Sequence, residues 1–279
     1  MKPAKPPAPV RSTATRGPKA GKGSGGPRIL VSTDLEGVSG VFRFAQTRDR
    51  TSPLYTQAVE YMMGDIAALV RGLRAAGAAA ITVVDGHGGG DNFIPHLMEP
   101  GATYITGLPR PRREEWCPAC DGLILLGFHA MNGTPDGVLH HTQSSKSESR
   151  YWYNGTESGE IAQMAMLAGS VGVPVIMVTG DTATCREARR FLGPRVVTVA
   201  TKRGLSREAA ELYPFEETRR AIHEGAARAL AALPSCQPYP VRLPVKCRLV
   251  RIEHRDRPDE TVVVTREKTT SDLTEIFSF

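Results

Sequence analysis

Three short apolar runs that lack polar alternation constrain this chain most: residues 29–31 (Ile-Leu-Val), 80–85 (AITVVD) and 121–129 (DGLILLGFH). Alternation marks a strand with one wet face, and its absence marks a strand covered on both. Each run ends among glycines beside acids or imidazoles. Asp34 and Glu36 follow the first, Asp85 and His87 the second, and His129 closes the third. Between the first two, Ala58, Met62, Ile66, Leu69, Val70 and Leu73 recur at three- and four-residue steps, which predicts an amphipathic helix over 54–76 stopped by Gly77.

The alternation continues. A weak strand is expected at 102–106 and an aromatic one at 150–153, turning at Asn154-Gly155. A small-residue helix at 157–172 precedes an apolar strand at 173–179; then come a helix from Asp181 to about 192, a strand at 195–201 and a helix at 215–233. Strands alternating with helices predict a three-layer, mostly parallel α/β sheet with right-handed crossovers. From Tyr239 the pattern changes to strands at 246–253 and 261–265 and a short helix at 272–277, a small C-terminal α+β appendage. The expected division is a disordered basic tail over 1–27, an α/β domain over 28–235 and the appendage over 236–279.

The formal charge of +6 invites a nucleic-acid partner, but its placement argues against one. Lys2, Lys5, Arg11, Arg16, Lys19, Lys22 and Arg28 lie in or beside the Pro- and Gly-rich tail with no acid among them, so the rest is close to neutral. No apolar run approaches the ~20 residues of a membrane span. Five scattered cysteines do not make a disulfide scaffold, which points to a reducing cytoplasm. The Trp116-Cys117-Pro118-Ala119-Cys120 string resembles a thioredoxin-type redox motif. A buried strand follows it where a helix is required, so it reads as a loop pair.

In parallel α/β sheets ligands gather outside the carboxyl ends of the strands. If the three apolar strands are neighbours, Asp34, Glu36, Asp85, His87 and His129 meet at one sheet edge. Carboxylate with imidazole is the ligand set of zinc and similar divalent metals. Taken singly, each has a plainer reading: a capping Asp, a loop histidine, a satisfied core histidine. Asp85, two residues before His87, is placed to orient an imidazole. The excursion 129–142 (HAMNGTPDGVLHHT) returns His140 and His141 towards the sheet, one of them as a base or proton shuttle. Glu160, in the first turn of a helix, suits the helix dipole and equally well a metal.

Together STDLEGVSG, VVDGHGGG, LILLGFHA, GTPDGVLHHT, YNGTESGE and VPVIMVTGD, spanning about residues 29–201, resemble the DppA family of zinc-dependent D-aminopeptidases. The resemblance implies two zinc ions per subunit, with Asp34 matching the bridging aspartate. Glu36, His87, His129 and Glu160 match the other metal ligands, and His141 rather than His140 matches the catalytic histidine. It further implies hydrolysis of short peptides with N-terminal D-amino acids and a homo-oligomer, in its most specific form a ring-shaped decamer. Two rivals remain. Asp34-Leu-Glu-Gly and Thr179-Gly-Asp-Thr resemble magnesium-dependent phosphohydrolases of haloacid-dehalogenase type, which leaves the histidines idle. A non-catalytic metal-binding protein of the same fold is the other.

Overall fold

The structure is a computed structural model that describes residues 25–107, 120–254, 261–277 and 279. The sequence expectations for residues 1–24 and for Trp116 and Cys117 lie outside the described residues. A seven-stranded sheet has the order β3-β2-β1-β4-β7-β8-β9. Its strands are β1 (Arg28–Thr33), β2 (Ala80–Asp85), β3 (Thr103–Ile105), β4 (Gly122–Leu126), β7 (Val175–Asp181), β8 (Val197–Ser206) and β9 (Ala209–Leu212). Every pairing is parallel except that of β8 with β9.

Burial of both faces explains the unalternated runs. Ile29 and Val31 of β1, with Val83 and Ile124, pack against α1 (Pro53–Ala75) through Met62, Ile66 and Leu69, and against α4 (Phe215–Ala232) through Ile222 and Ala226. Leu30, Val84, Leu125 and Val178 face the other way, against Ile161 and Ala165 of α2 (Glu160–Ser170) and Ala188 of α3 (Thr182–Leu192). Successive strand residues thus feed opposite helix layers, and the expected three-layer α/β architecture is what the chain adopts. α1 starts where expected, with Pro53 in its first turn and the Ser52 hydroxyl accepting from the Leu54 amide.

A second, antiparallel sheet runs β11-β10-β5-β6, with β5 (Arg150–Tyr153), β6 (Thr156–Ser158), β10 (Val245–His254) and β11 (Thr261–Thr270). The C-terminal hairpin therefore adds to a hairpin from mid-chain. Asn154 and Gly155, at φ 51° and 84°, form the two-residue turn that joins β5 to β6. That turn claims 156–158 as strand, so the helix expected from 157 begins at Glu160. Tyr151, Tyr153, Val245 and Leu249 pack with Met166 and Leu167 of α2 and with Leu273 and Ile276 of the final 3₁₀ turn. No helix among the described residues is long and apolar enough to cross a membrane.

Candidate metal centre

The order β2-β1-β4 makes the three sequence-predicted strand ends neighbours. Beyond β1 the chain stays tied to β4: the Asp34 amide donates to the Leu126 carbonyl at 2.8 Å and the Gly37 amide to Gly127 at 2.7 Å. Gly37 passes so close to the Phe128 carbonyl that a Cβ would overlap it. This close approach fixes the Asp34–Glu36 segment over the sheet edge, with both side chains buried. His87 arrives on a 3₁₀ turn after β2, His129 just beyond β4, and Glu160 on the first turn of α2.

The two oxygens of Asp34 face different imidazoles. Oδ1 lies 3.0 Å from His87 Nδ1, and Oδ2 lies 3.4 Å from His129 Nε2. Glu36 Oε2 closes the first group at 3.2 Å from His87 Nδ1, and Glu160 Oε1 closes the second at 3.4 Å from His129 Nε2. His141 Nε2 stands 3.9 Å from the same Glu160 oxygen, its ring stacked on His129 with centroids 4.0 Å apart. Two metal-competent triads result, Asp34–Glu36–His87 and His129–His141–Glu160.

Each histidine has its outward nitrogen pinned to a backbone carbonyl. His87 Nε2 meets Thr47 O at 2.9 Å, His129 Nδ1 meets Ala130 O at 3.0 Å, and His141 Nδ1 meets Leu139 O at 2.8 Å. A carbonyl only accepts, so each of these nitrogens carries a proton, and in the neutral ring the lone pair of the other nitrogen points into the cluster. Glu36 Oε2 and His129 Nε2 are buried without a hydrogen-bond partner, which is costly for groups meant to stay unligated. Donor atoms ~2.0–2.1 Å from one tetrahedral cation stand about 3.3 Å apart. The pairs at 3.0, 3.2, 3.4 and 3.4 Å match that spacing. The residues present fit a pair of small divalent cations.

A family model described as D-aminopeptidase, peptidase family M55, matches residues 28–276. The chain belongs to the M55 family. The D-aminopeptidase of Bacillus subtilis is 28% identical over 211 residues, covering 73% of each chain. The solved structure of the Zn-dependent D-aminopeptidase DppA from Bacillus subtilis, described as a self-compartmentalizing protease, superposes with a TM-score of 0.80. At 23% identity it covers 90% of this chain and 94% of that one, and it establishes the shared fold.

The electrostatics of this M55 site are those of acids seeking positive charge. Burial, and then Glu36, push Asp34 up to about 7. Burial opposes ionisation of Glu36 too, but the His87 cation beside it prevails and holds it well below the usual carboxylate range. The same pairing carries His87 well above its ordinary value despite burial, and Glu160 carries His129 up to about 10. Glu160 falls to about 2, its burial outweighed by His129. His141 goes the other way, down to about 4, through burial and the neighbouring His129 charge. With His87 and His129 protonated at pH 7, metal entry has to displace their protons. Chelator-treated protein titrated with zinc is therefore expected to release about one proton for each of these imidazoles, and to bind more weakly as pH falls. Calorimetry in buffers of different ionisation heat measures this, and a proton count of zero would contradict it.

Several neighbours differ from their sequence expectation. Among the described residues Asp85 bonds to no imidazole: it accepts from Asn92 N (2.7 Å), Asn92 Nδ2 (2.9 Å) and Thr106 Oγ1 (2.8 Å). It acts one step removed, because Asn92 Nδ2 also donates to the His87 carbonyl at 2.8 Å. Of the adjacent histidines, His141 enters the cluster, while His140 turns outward and accepts from the Gly133 amide at 3.1 Å. Asp181, the distal acid of the phosphohydrolase reading, caps α3 and accepts from Thr184 N at 2.7 Å and Val138 N at 2.5 Å. It is spent on structure. Two residues that sequence reasoning missed lie beneath the site. Lys202 Nζ donates to the Glu36 and Val38 carbonyls, both at 2.7 Å, and Thr201 Oγ1 to the Gly37 carbonyl at 2.7 Å.

Proposed function

We propose that this protein removes N-terminal D-amino acids from short peptides at a two-zinc centre. Asp34 would stand between the two metals, with Glu36 and His87 holding one and His129 and Glu160 the other. The observation that carries the reading is Asp34, whose two oxygens each face the imidazole of a different triad. Zinc supplies a water acidified towards neutral pH and a Lewis acid for the scissile carbonyl.

The chain's own residues do the rest. Thr47, Ala130 and Leu139 hold the three imidazoles in the tautomer that presents a lone pair inward. His141, neutral at pH 7, has Nε2 available to take a proton and pass it to the leaving amine. The cavity above the cluster, about 810 Å³ and partly walled by Tyr55, Phe128, Met164 and Phe277, suits a di- or tripeptide. The self-compartmentalizing description of the Bacillus subtilis DppA structure supports a homo-oligomeric ring here. Free thiols at Cys185, Cys236 and Cys247 support a cytoplasmic setting.

The test is release of D-alanine from D-alanyl-D-alanine by zinc-loaded protein, abolished by a chelator and restored by zinc. The L,L-dipeptide should be cleaved poorly. His141→Ala is expected to lower kcat by about 10²–10⁴-fold, the usual worth of a positioned proton-transfer group, while His140→Ala changes it little. Zinc-loaded protein that cleaves no peptide would instead favour a binding protein.

A further inference from the structure

We infer that Arg48 and Arg50, with Lys146 beside them, bind the free C-terminal carboxylate of the substrate, so that the preferred substrates are short peptides with an unblocked C-terminus. This deepens the peptidase reading and rests on it. The argument is one of charge and place. The acids lining the cavity are Asp34, Glu36 and Glu160, all in the metal cluster, whereas Arg48, Arg50 and Lys146 line the same cavity.

Among the described residues Arg48 and Lys146 make no ion pair, and Arg50 makes a single long one at the edge of ion-pair distance. Arg48 lies over the Phe44 ring and donates to the Ser145 hydroxyl at 2.9 Å and to the Ser145 carbonyl. Arg50 donates to the Gly88 and Gly90 carbonyls at 3.1 and 2.6 Å and makes a long ion pair of 4.0 Å with the exposed Asp91. Lys146 has no carboxylate of the described residues within ion-pair distance. Neutral acceptors take the hydrogen bonds of the two guanidinium groups, and the only ion pair they make among the described residues, with the exposed Asp91, is long, so their charge is left largely available to an anionic ligand.

Neutralising the cluster does not explain them. Three carboxylates around two divalent cations leave that wall one charge positive, so the basic residues add to an excess. Both arginines also flank the His87 loop: Arg48 follows Thr47, which pins His87 Nε2, and Arg50 grips the glycines after His87. A carboxylate held there is joined to a scissile amide at the cluster by a short linker only. A long or amidated peptide offers no charge at that point.

The experiment compares D-alanyl-D-alanine with its C-terminal amide on the zinc-loaded full chain. The free acid is expected to be preferred about tenfold or more in kcat/KM, chiefly through KM, and the preference should shrink as ionic strength rises. Arg50→Gln and Arg48→Gln should each move the ratio towards one by lowering turnover of the acid more than that of the amide, the ratio within each variant cancelling any general loss at the His87 loop. The salt dependence of the wild-type ratio gives the same answer without a variant. Equal cleavage of acid and amide by the wild type, or a preference that survives both substitutions and high salt, overturns the inference and leaves the peptidase reading standing. Cleavage of neither substrate overturns both.

Discussion

Replacing Asp34 by alanine is expected to abolish D-peptide hydrolysis, by roughly a thousandfold or more, and to lower bound zinc from two ions per chain to one or none. The magnitude follows from what the bridge does. Loss of about 4 kcal/mol, the order of stabilisation that a correctly held Lewis acid gives a developing charge, is about a thousandfold in rate. Asp34 lies 3.0 Å from the imidazole of its own triad and 3.4 Å from His129 of the other, so a single deletion removes a carboxylate oxygen from beside both. Glu36→Ala or Glu160→Ala removes one ligand from one triad and is expected to cost one metal. Folding should tolerate the change, since it relieves repulsion between Asp34 and Glu36, the carboxylate that with burial pushes Asp34 up to about 7. Metal content by elemental analysis and kcat/KM on D-alanyl-D-alanine check it together. A variant that keeps two zinc ions and activity within about tenfold would remove Asp34 from the bridging place.

Much of this cluster was legible because its side chains sit at the ends of strands whose sequence carries a strong signal. An unalternated Ile-Leu-Val or Leu-Ile-Leu-Leu run is hard to place except between two helix layers, and topology then delivers Asp34, His87 and His129 to one edge. The neighbour relation itself needed the structure, since nothing local says that β4 lies beside β1. Asp85 misled because two-residue spacing implies a shared face only while the chain stays extended. The 3₁₀ turn at His87–Gly89, with Gly88 at φ 53°, ends that rule within one residue. His140 and His141 could not be separated by pattern. Leu139, at φ 53°, turns the chain so that one imidazole goes in and the other out. Strands β6 and β9 were missed because Thr-Glu-Ser and Ala-Ala-Glu-Leu carry little strand preference. They exist because a turn and an antiparallel partner, β8, place them.

The least legible residue is Lys202, and its substitution carries the second large expectation. A lysine late in a strand usually reaches solvent, yet this one is fully buried. Its ammonium holds the carbonyls of Glu36 and Val38, 166 and 164 residues away in sequence. Burial pulls its pKa down to about 8, with Asp181 and Asp65 opposing, so it remains mostly charged at pH 7. Lys202→Met keeps the apolar stem and leaves the Glu36 carbonyl unpaired at roughly 1–3 kcal/mol, while the Val38 carbonyl keeps its bond from the Val41 amide and loses one of two. A net loss of about 1–3 kcal/mol, or a Tm lower by about 2–12 °C, is expected from thermal melts of the chelated protein. Its effect on metal separates two roles by sign. If Lys202 mattered only as charge, removing a cation beneath an acidic cluster would tighten metal binding. If it positions the Asp34–Glu36 loop, binding at the triad containing Glu36 and His87 should weaken, by the 10–100-fold typical of residues that orient ligands. The triad of His129 and Glu160, held by β4 and α2, should change far less. We expect the second outcome, because Thr201 grips the intervening Gly37 carbonyl alongside Lys202. Three consecutive carbonyls tied down from below are a device for holding a loop still. Zinc titration of the folded variant decides the matter, and tighter binding at both triads would reduce Lys202 to a buried counter-charge.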